Sequence, residues 1–194
     1  MFLFLFFISC IFNKNISQSE IYDVKNSYIY IVSGDGFGSG NIINYKNNSY
    51  LITANHCIDY SSDVFVFNKV SLKENMVYAS ESTDIAVFKS SNKFKSIKYK
   101  ESRGVKYGDE VHYWCMPSGS EEKYFVSKIS RIGEDEIILN GFGWFGCSGS
   151  VVFDSSNAVV GVITGIFHTE DTDSGVSHSS IIYVSKFKKD FFGE

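Results

Sequence analysis

The sequence predicts an all-β protein, and three observations lead to this fold class. The 194 residues include 18 Phe and 12 Tyr but a single Pro, and aromatic residues favour strands. Alternating or apolar runs of about four to eight residues recur, separated by Gly, Asn, Ser and Asp. No helical pattern of about 10 to 15 residues alternates with these runs, which argues against a parallel α/β fold. Many short, closely spaced strands are typical of a barrel or a sandwich.

The predicted elements follow from these runs in chain order. A turn rich in Asn at residues 45–49 predicts a hairpin, and the polar stretch 89–104 is expected to join two halves. One helix is predicted at residues 185–192, where Ser185 would cap a segment with several Phe on one side. The predicted strands are residues 28–32, 40–44, 49–54, 64–67, 85–88, 110–115, 123–129, 136–139, 150–154, 159–164 and 180–184.

Length and charge narrow the class of protein. The chain fits one domain or two fused barrels of about 80 to 90 residues each. Its net charge of −4 is spread along the sequence without a basic stripe, so a nucleic-acid partner is not expected. Residues 1–18 are expected to form a separate N-terminal segment, and residues 19–194 the folded domain.

The first twelve residues are apolar and uncharged. They are too few to span a membrane as a helix, but they match the apolar part of an export signal. We therefore expect a secreted, periplasmic or cell-surface protein without a stable membrane span. Lipid attachment at Cys10 and a buried first strand are the alternatives.

Three further cysteines, Cys57, Cys115 and Cys147, do not form a disulfide framework. Their number is odd, their spacing is irregular, and no CxxC pair suggests zinc. At most one bridge is expected, with a Cys57–Cys115 pair left open. No metal or other cofactor is predicted, and nothing in the sequence indicates an oligomeric state.

Three segments carry residues suited to catalysis. An apolar strand ends at His56, Asp84 opens another, and Ser148 lies among small residues before a third. Each has a simpler interpretation: a structural histidine, a turn-forming aspartate and a glycine-rich turn. Together they suit nucleophilic catalysis, because a serine needs an imidazole to take its proton and the imidazole needs a carboxylate to orient it. The N–H groups of Gly146 and Ser148 would then form an oxyanion hole.

The sequences around these residues resemble the chymotrypsin/trypsin superfamily. Thr-Ala-Asn-His-Cys surrounds His56, Asp-Ile-Ala-Val begins at Asp84, and Gly-Cys-Ser-Gly-Ser contains Ser148. Residues 36–43 and 107–119 resemble segments of HtrA-like members, and residues 148–162 also resemble staphylococcal glutamyl endopeptidase. The resemblance implies a serine endopeptidase acting on protein or peptide substrates.

The same resemblance implies a fold of two six-stranded antiparallel Greek-key barrels. The first barrel would span about residues 25–92 and the second about 104–184, followed by the short C-terminal helix at 185–192. Cys147 stands where trypsin has the aspartate that binds a newly cut N-terminus. The zymogen switch is therefore expected to be absent, as in HtrA-like and many viral members, so a virus-encoded enzyme also fits.

Cys147 also raises a rival nucleophile, because viral relatives use a cysteine in this motif. Glycines two residues before and directly after Ser148 favour the serine, and Cys147 is then interpreted as a buried, inert thiol. A second alternative is a protease-fold binding protein without activity. The presence of His56, Asp84 and Ser148 together favours the enzyme.

The resemblance places Phe142 at the base of the substrate pocket and Thr164, Gly165 and Ile166 in its wall. An apolar base lacks the carboxylate that would select Lys or Arg before the cleaved bond. Ile163 falls where glutamyl endopeptidases have a histidine, so Glu is not supported either. A small or apolar P1 residue, the residue before the cleaved bond, is the prediction.

Overall fold

The computed structural model describes residues 16–61, 64–66, 70–71, 75–90, 94–171 and 176–193. The predicted export segment, including Cys10, lies outside the described residues. The described chain begins with helix α1 (Gln18–Ser27). The strands are β1 (Tyr28–Ser33), β2 (Gly36–Tyr45), β3 (Asn48–Ala54), β4 (Val64–Val66), β5 (Val70–Ser71), β6 (Met76–Ser80), β7 (Ile85–Ser90), β8 (Ile97–Lys98), β9 (Glu110–Cys115), β10 (Lys123–Ile132), β11 (Glu136–Asn140), β12 (Val151–Asp154), β13 (Val159–Asp171) and β14 (Val176–Lys186).

The strands form two separate sheets, one from each half of the chain. The second half closes into a six-stranded barrel in the order β10-β11-β14-β13-β12-β9. In the first half the described strands run in the order β5-β4-β1-β2-β3-β7-β6, and β8 pairs with β2 in parallel. This sheet has eight described strands where six were predicted, and three of them, β5, β6 and β8, match none of the predicted strands. The all-β, chymotrypsin-like fold class is confirmed.

Local sequence explains the hairpin between β2 and β3. Lys46 and Asn47 both have positive φ, 48° and 64°, which a two-residue hairpin turn requires and which Asn tolerates well. The turn pairs Tyr45 with Asn48. The predicted turn is therefore confirmed, and β3 carries the chain directly to His56.

Helix α1 was not predicted. Its sequence lacks an apolar stripe, and only Val24 and Ser27 are buried. A capping box defines its start: the Glu20 N–H donates to the side chain of Ser17, and the Glu20 carboxylate accepts from the Ser17 N–H. The Ser-x-x-Glu spacing was the available signal. Val24 reaches a core shared with strands of both sheets, so α1 packs across the two halves.

The chain ends in a 3₁₀ turn, Lys189–Phe192. The predicted C-terminal helix at residues 185–192 is thus reduced to this turn. Ser185 is not its cap, because Ser185 and Lys186 belong to β14. Phe191 stacks on Tyr78 with ring centroids 4.2 Å apart. Phe192 stacks on Tyr45 at 4.4 Å. The C-terminus of the second half therefore packs against the first sheet through these aromatic contacts.

Candidate active site

His56 and Asp84 lie side by side because β3 and β7 are paired. The two strands pair antiparallel, with Ala54 opposite Ile85, so the residue after one strand meets the residue before the other. The His56 Nδ1 and the Asp84 Oδ2 are 2.6 Å apart. The His56 backbone N–H donates to the other carboxylate oxygen at 2.9 Å. The carboxylate therefore fixes both the ring and the backbone of the histidine.

The backbone of Asp84 is itself unusual. Its φ is +51°, a left-handed conformation in which Asp and Asn are enriched among non-glycine residues. The Asp84 carbonyl accepts from the Asn55 N–H at 3.0 Å. This contact holds the residue in a conformation that aims its side chain at His56.

The pairing with Asp84 changes the acidity of His56. The hydrogen bond to the carboxylate, followed by the neighbouring Cys57 thiol, raises the pKa of His56 above its usual value, while burial opposes the shift. The imidazolium is therefore stabilised. The His56 side chain keeps 48% of its surface exposed, so its ring remains open to a reacting group.

Ser148 lies in a turn with two positions, Gly146 and Gly149, whose backbone conformation favours glycine. Gly146 and Gly149 have φ of +94° and +88°. A side chain at Gly149 would collide with the Ser39 carbonyl and the Thr53 hydroxyl. The turn thus sits directly on the first sheet and brings Ser148 to the boundary between the two halves.

The two backbone donors predicted for the oxyanion hole are unused. Within the described residues, the N–H groups of Gly146 and Ser148 donate to no protein acceptor. Both belong to residues that line a cavity of about 550 Å³, together with His56. The remaining lining residues are Asp35, Gly36, Phe37, Cys57, Ser118 and Phe145. One cavity therefore holds a hydroxyl, an imidazole paired with a carboxylate, and two free N–H donors.

Cys147 is not the inert thiol that the sequence suggested. Its sulfur is bonded to that of Cys115, and its side chain is fully buried. In this structure it has no free thiolate to act as a nucleophile. Cys57 is the free, buried cysteine of the described chain, so the Cys57–Cys115 pairing left open above does not form.

The four residues predicted for the substrate pocket come from two neighbouring segments. A side chain at Gly143, next to Phe142, would lie 2.8 Å from Ile166. Phe142 is 44% exposed and stacks on Phe125 with centroids 5.1 Å apart. Thr164 and Gly165 are half-buried on β13. The segments of Phe142 and Ile166 are thus adjacent, with an aromatic pair beside them.

Sequence reasoning missed two aromatic side chains of the cavity, Phe37 and Phe145. They are 39% and 61% exposed, and exposed aromatics at a cavity mouth are typical of binding surfaces. In the described chain, no three His, Cys, Asp or Glu residues are grouped to hold a metal ion. No helix among the described residues has the length and apolar character needed to cross a membrane.

The fold is that of the chymotrypsin-like class, with a closed six-stranded barrel and a second β-sheet. His56, which is paired with Asp84, lines the same cavity as Ser148 in its glycine turn. Residues 38–162 match the model of the trypsin-like peptidase domain. The protein belongs to the trypsin-like peptidase family. Sequence comparison with curated proteins finds no match.

Solved structures of bacterial proteases share the fold. The Rv3671c protease from M. tuberculosis, in its active form, has a TM-score of 0.67 at 16% identity over 86% of this chain and 78% of its own. The serine endoprotease from Yersinia pestis has a TM-score of 0.68 at 20% identity, and the HtrA-type protease AlgW, solved with a tripeptide, has 0.68 at 21%. The chain covers 60% and 58% of these last two proteins, and 86% of it is matched in each case.

Proposed function

We propose that this peptidase is a serine endopeptidase with His56, Asp84 and Ser148 as its catalytic triad. The observation that carries the proposal is the 2.6 Å contact between Asp84 and His56, because His56 lines the same cavity as Ser148. The unused N–H groups of Gly146 and Ser148 support an oxyanion hole at the same place. The family match supports peptide-bond hydrolysis as the reaction.

The first half of the proposed reaction forms an acyl-enzyme. The Ser148 hydroxyl oxygen attacks the carbonyl carbon of the peptide bond, and His56 takes the hydroxyl proton. Asp84 stabilises the imidazolium that results. The negative charge on the former carbonyl oxygen is bound by the two N–H groups, each worth about 3 kcal/mol of the barrier. The tetrahedral intermediate then collapses, and His56 gives its proton to the leaving amine.

The second half releases the acyl group with water. His56, again neutral, takes a proton from a water molecule, whose oxygen attacks the ester carbon. The same N–H groups bind the second oxyanion. Collapse returns the proton to the Ser148 oxygen and frees the new carboxylate, so the enzyme is regenerated without a cofactor.

Replacing the nucleophile tests this proposal. Ser148→Ala is expected to abolish almost all hydrolysis of a casein substrate. At most the ~10³- to 10⁴-fold acceleration over the uncatalysed reaction should remain, as when a triad is dismantled. Ser130→Ala is the matched control, since Ser130 is exposed and donates to the Ile138 carbonyl within the second barrel. Equal activity of both variants would refute the proposed nucleophile. A native protein that binds casein without cleaving it would support the inactive binding protein instead.

For specificity, we propose a small or apolar P1 residue. The Phe142–Phe125 stack and the neighbouring Ile166 support an apolar pocket, and Phe142 supplies no carboxylate for a basic residue. Native enzyme is expected to prefer Ala or Val over Arg in peptides that differ only at P1. Phe142→Asp is expected to raise the ratio of kcat/KM for Arg over Ala at least about 10-fold. An unchanged ratio would place the pocket base elsewhere.

We also propose that the protein works outside the reducing cytosol. The Cys115–Cys147 bridge supports this, because disulfides persist in oxidising compartments, and the apolar residues 1–12 suit an export signal. The N-terminus of protein recovered from the producing cells is expected to lie beyond residue 12. An intact Met1 in protein recovered from the cytosol would contradict this location.

A further inference from the structure

A disulfide joins the residue before the candidate nucleophile to the end of a barrel strand. Cys147 precedes Ser148, and Cys115 is the last residue of β9. Their Cα atoms are 4.8 Å apart, and both side chains have no exposed surface. The bridge therefore ties the nucleophile turn to the chain segment that leaves β9.

That segment, residues 116–119, packs against the turn. The Ser118 N–H donates to the Phe145 carbonyl at 2.7 Å. The Met116 carbonyl lies so close to Gly146 that a side chain there would collide with it. The segment thus touches the turn on both sides of the peptide bond between residues 145 and 146.

These contacts orient the two donors of the proposed oxyanion hole. In a trans peptide the C=O and N–H point in opposite directions, and the described chain has no cis peptide. Because Ser118 binds the Phe145 carbonyl, the Gly146 N–H must point the other way. The Cys147 carbonyl accepts from the Ser150 N–H at 3.1 Å, which fixes the Ser148 N–H in the same manner.

The segment would not hold this geometry on its own. Ser118 has a φ of +53°, a left-handed conformation that a serine keeps only where its surroundings impose it. The bridge fastens the chain three residues before Ser118. Without it, Ser118 could relax to an ordinary conformation and release the Phe145 carbonyl.

We propose that the Cys115–Cys147 disulfide is a positioning element of the oxyanion hole, so that reduction of the bridge lowers kcat. The proposal rests on the proposed serine endopeptidase function. In this proposal Cys147 holds the nucleophile turn in place through its disulfide, and no newly cut N-terminus is needed for that purpose. The peptidase then works fully only while the bridge is oxidised.

The redox step requires a dithiol such as dithiothreitol. One of its thiolates attacks a sulfur of the bridge, the S–S bond breaks, and a mixed disulfide forms. The second thiol displaces it, which leaves two protein thiols and the oxidised cyclic reagent. Two electrons and two protons pass to the protein. Since both sulfurs are buried, reduction is expected to be slow and to need prolonged incubation.

The test compares the full-length oxidised protein, the same protein after reduction, and the Cys115→Ala/Cys147→Ala double variant. Alkylation and mass spectrometry count the free thiols, and circular dichroism checks the fold. Reduction is expected to lower kcat by at least about 10-fold, up to the roughly 1,000-fold typical of losing one donor. KM is expected to stay within about 3-fold, because the two N–H groups bind the oxyanion of the transition state more strongly than the substrate carbonyl. Affinity for a peptide aldehyde, which places an oxyanion in the hole, is expected to fall with kcat.

The double variant is the control for the reagent, since the dithiol should not change its activity further. Full kcat in protein shown to carry both free thiols would overturn the proposal. Loss of the folded circular-dichroism spectrum on reduction would also overturn it, because the bridge would then stabilise the whole fold. Failure of the serine peptidase proposal looks different, since the oxidised protein itself would then hydrolyse no peptide.

Discussion

Replacing Asp84 by Asn tests the role of the carboxylate beside His56. The substitution keeps the shape of the side chain, and Asn tolerates the φ of +51° found at this position. It removes the charge that lies 2.6 Å from the His56 Nδ1. An amide facing the ring also favours the wrong tautomer, in which the nitrogen that should take the Ser148 proton already carries one.

The expected loss of kcat follows from these contacts. Removing the carboxylate while keeping the geometry costs on the order of 10⁴-fold in a triad of this kind, or about 5.5 kcal/mol of transition-state stabilisation. Asp84→Ala is expected to cost at least as much. It also places alanine at a left-handed φ, which costs roughly 1–2 kcal/mol of stability. The Asn variant therefore separates catalysis from folding.

The direction in which the rate changes with pH follows from the pKa of His56. Asp84 raises the pKa of His56, and the reaction needs a neutral imidazole. The rate of the native enzyme is therefore expected to rise with pH through a midpoint above 6.5, the unperturbed value for histidine. In Asp84→Asn the midpoint is expected to fall towards 6.5.

The measurement is kcat/KM across pH for both proteins, with thermal unfolding as the control. The pairing stabilises the native fold fully below pH ~6.5, and this stabilisation is lost as pH rises through the folded-state pKa of His56. The native protein should lose this advantage over Asp84→Asn on the alkaline side. A variant with native kcat, or with an unchanged midpoint, would refute the assigned role of Asp84.

Three further predictions follow. Gly149→Ala is expected to destabilise the fold by about 2–5 kcal/mol, because the φ is left-handed and the added methyl group collides with Ser39 and Thr53. The control Gly108→Ala has a similar φ but open space around it, so it should cost only ~1–2 kcal/mol of stability. Equal losses of stability in urea unfolding would contradict the packing argument. Val24→Ala is expected to lower the free energy of unfolding by roughly 1.5–3 kcal/mol, because Val24 is fully buried between the two halves. Tyr22 lies on the same helix but is 60% exposed, so Tyr22→Ala should change stability by less than about 0.5 kcal/mol. An unchanged stability of Val24→Ala would argue against α1 as a structural element. Activity in EDTA should equal that without it, because the proposed reaction uses only His56, Asp84, Ser148 and backbone donors; a loss that zinc or calcium restores would contradict the metal-free mechanism.

Much of the fold could be predicted because strand patterns are local. The alternation around residues 110–115 and 136–139 is sufficient to identify β9 and β11, whose bounds differ from the predictions by at most one residue. Short strands such as β8, two residues within the polar stretch 89–104, carry no periodicity to detect. They form only because a neighbouring strand supplies backbone hydrogen-bond partners, as β2 does for β8.

Helix α1 and the disulfide escaped prediction for different physical reasons. The helix buries few residues, so its apolar pattern is weak, although its capping box was visible in Ser17 and Glu20. The Cys115–Cys147 pairing depends on which strand end meets the nucleophile turn. Such tertiary contacts are not encoded in the spacing of cysteines.

The site residues could be proposed from the sequence because a serine, a histidine and an aspartate form a chemically consistent set, in segments that resemble the chymotrypsin/trypsin superfamily. The pairing of Ala54 with Ile85 explains why a histidine and an aspartate 28 residues apart come together. The contacts that hold the turn, through Ser118 and Ser39, could not be predicted. They join segments that are distant in the chain and carry no motif of their own.

The central claim is that Ser148 is an activated nucleophile, and a fluorophosphonate probe tests it most directly. The probe forms a covalent bond only with a hydroxyl that a neighbouring base makes nucleophilic. Oxidised native protein is expected to be labelled once, with the phosphonyl group on Ser148 in the peptide map, and His56→Ala is expected not to react. Absence of labelling in folded native protein, or labelling at another residue, would contradict the account.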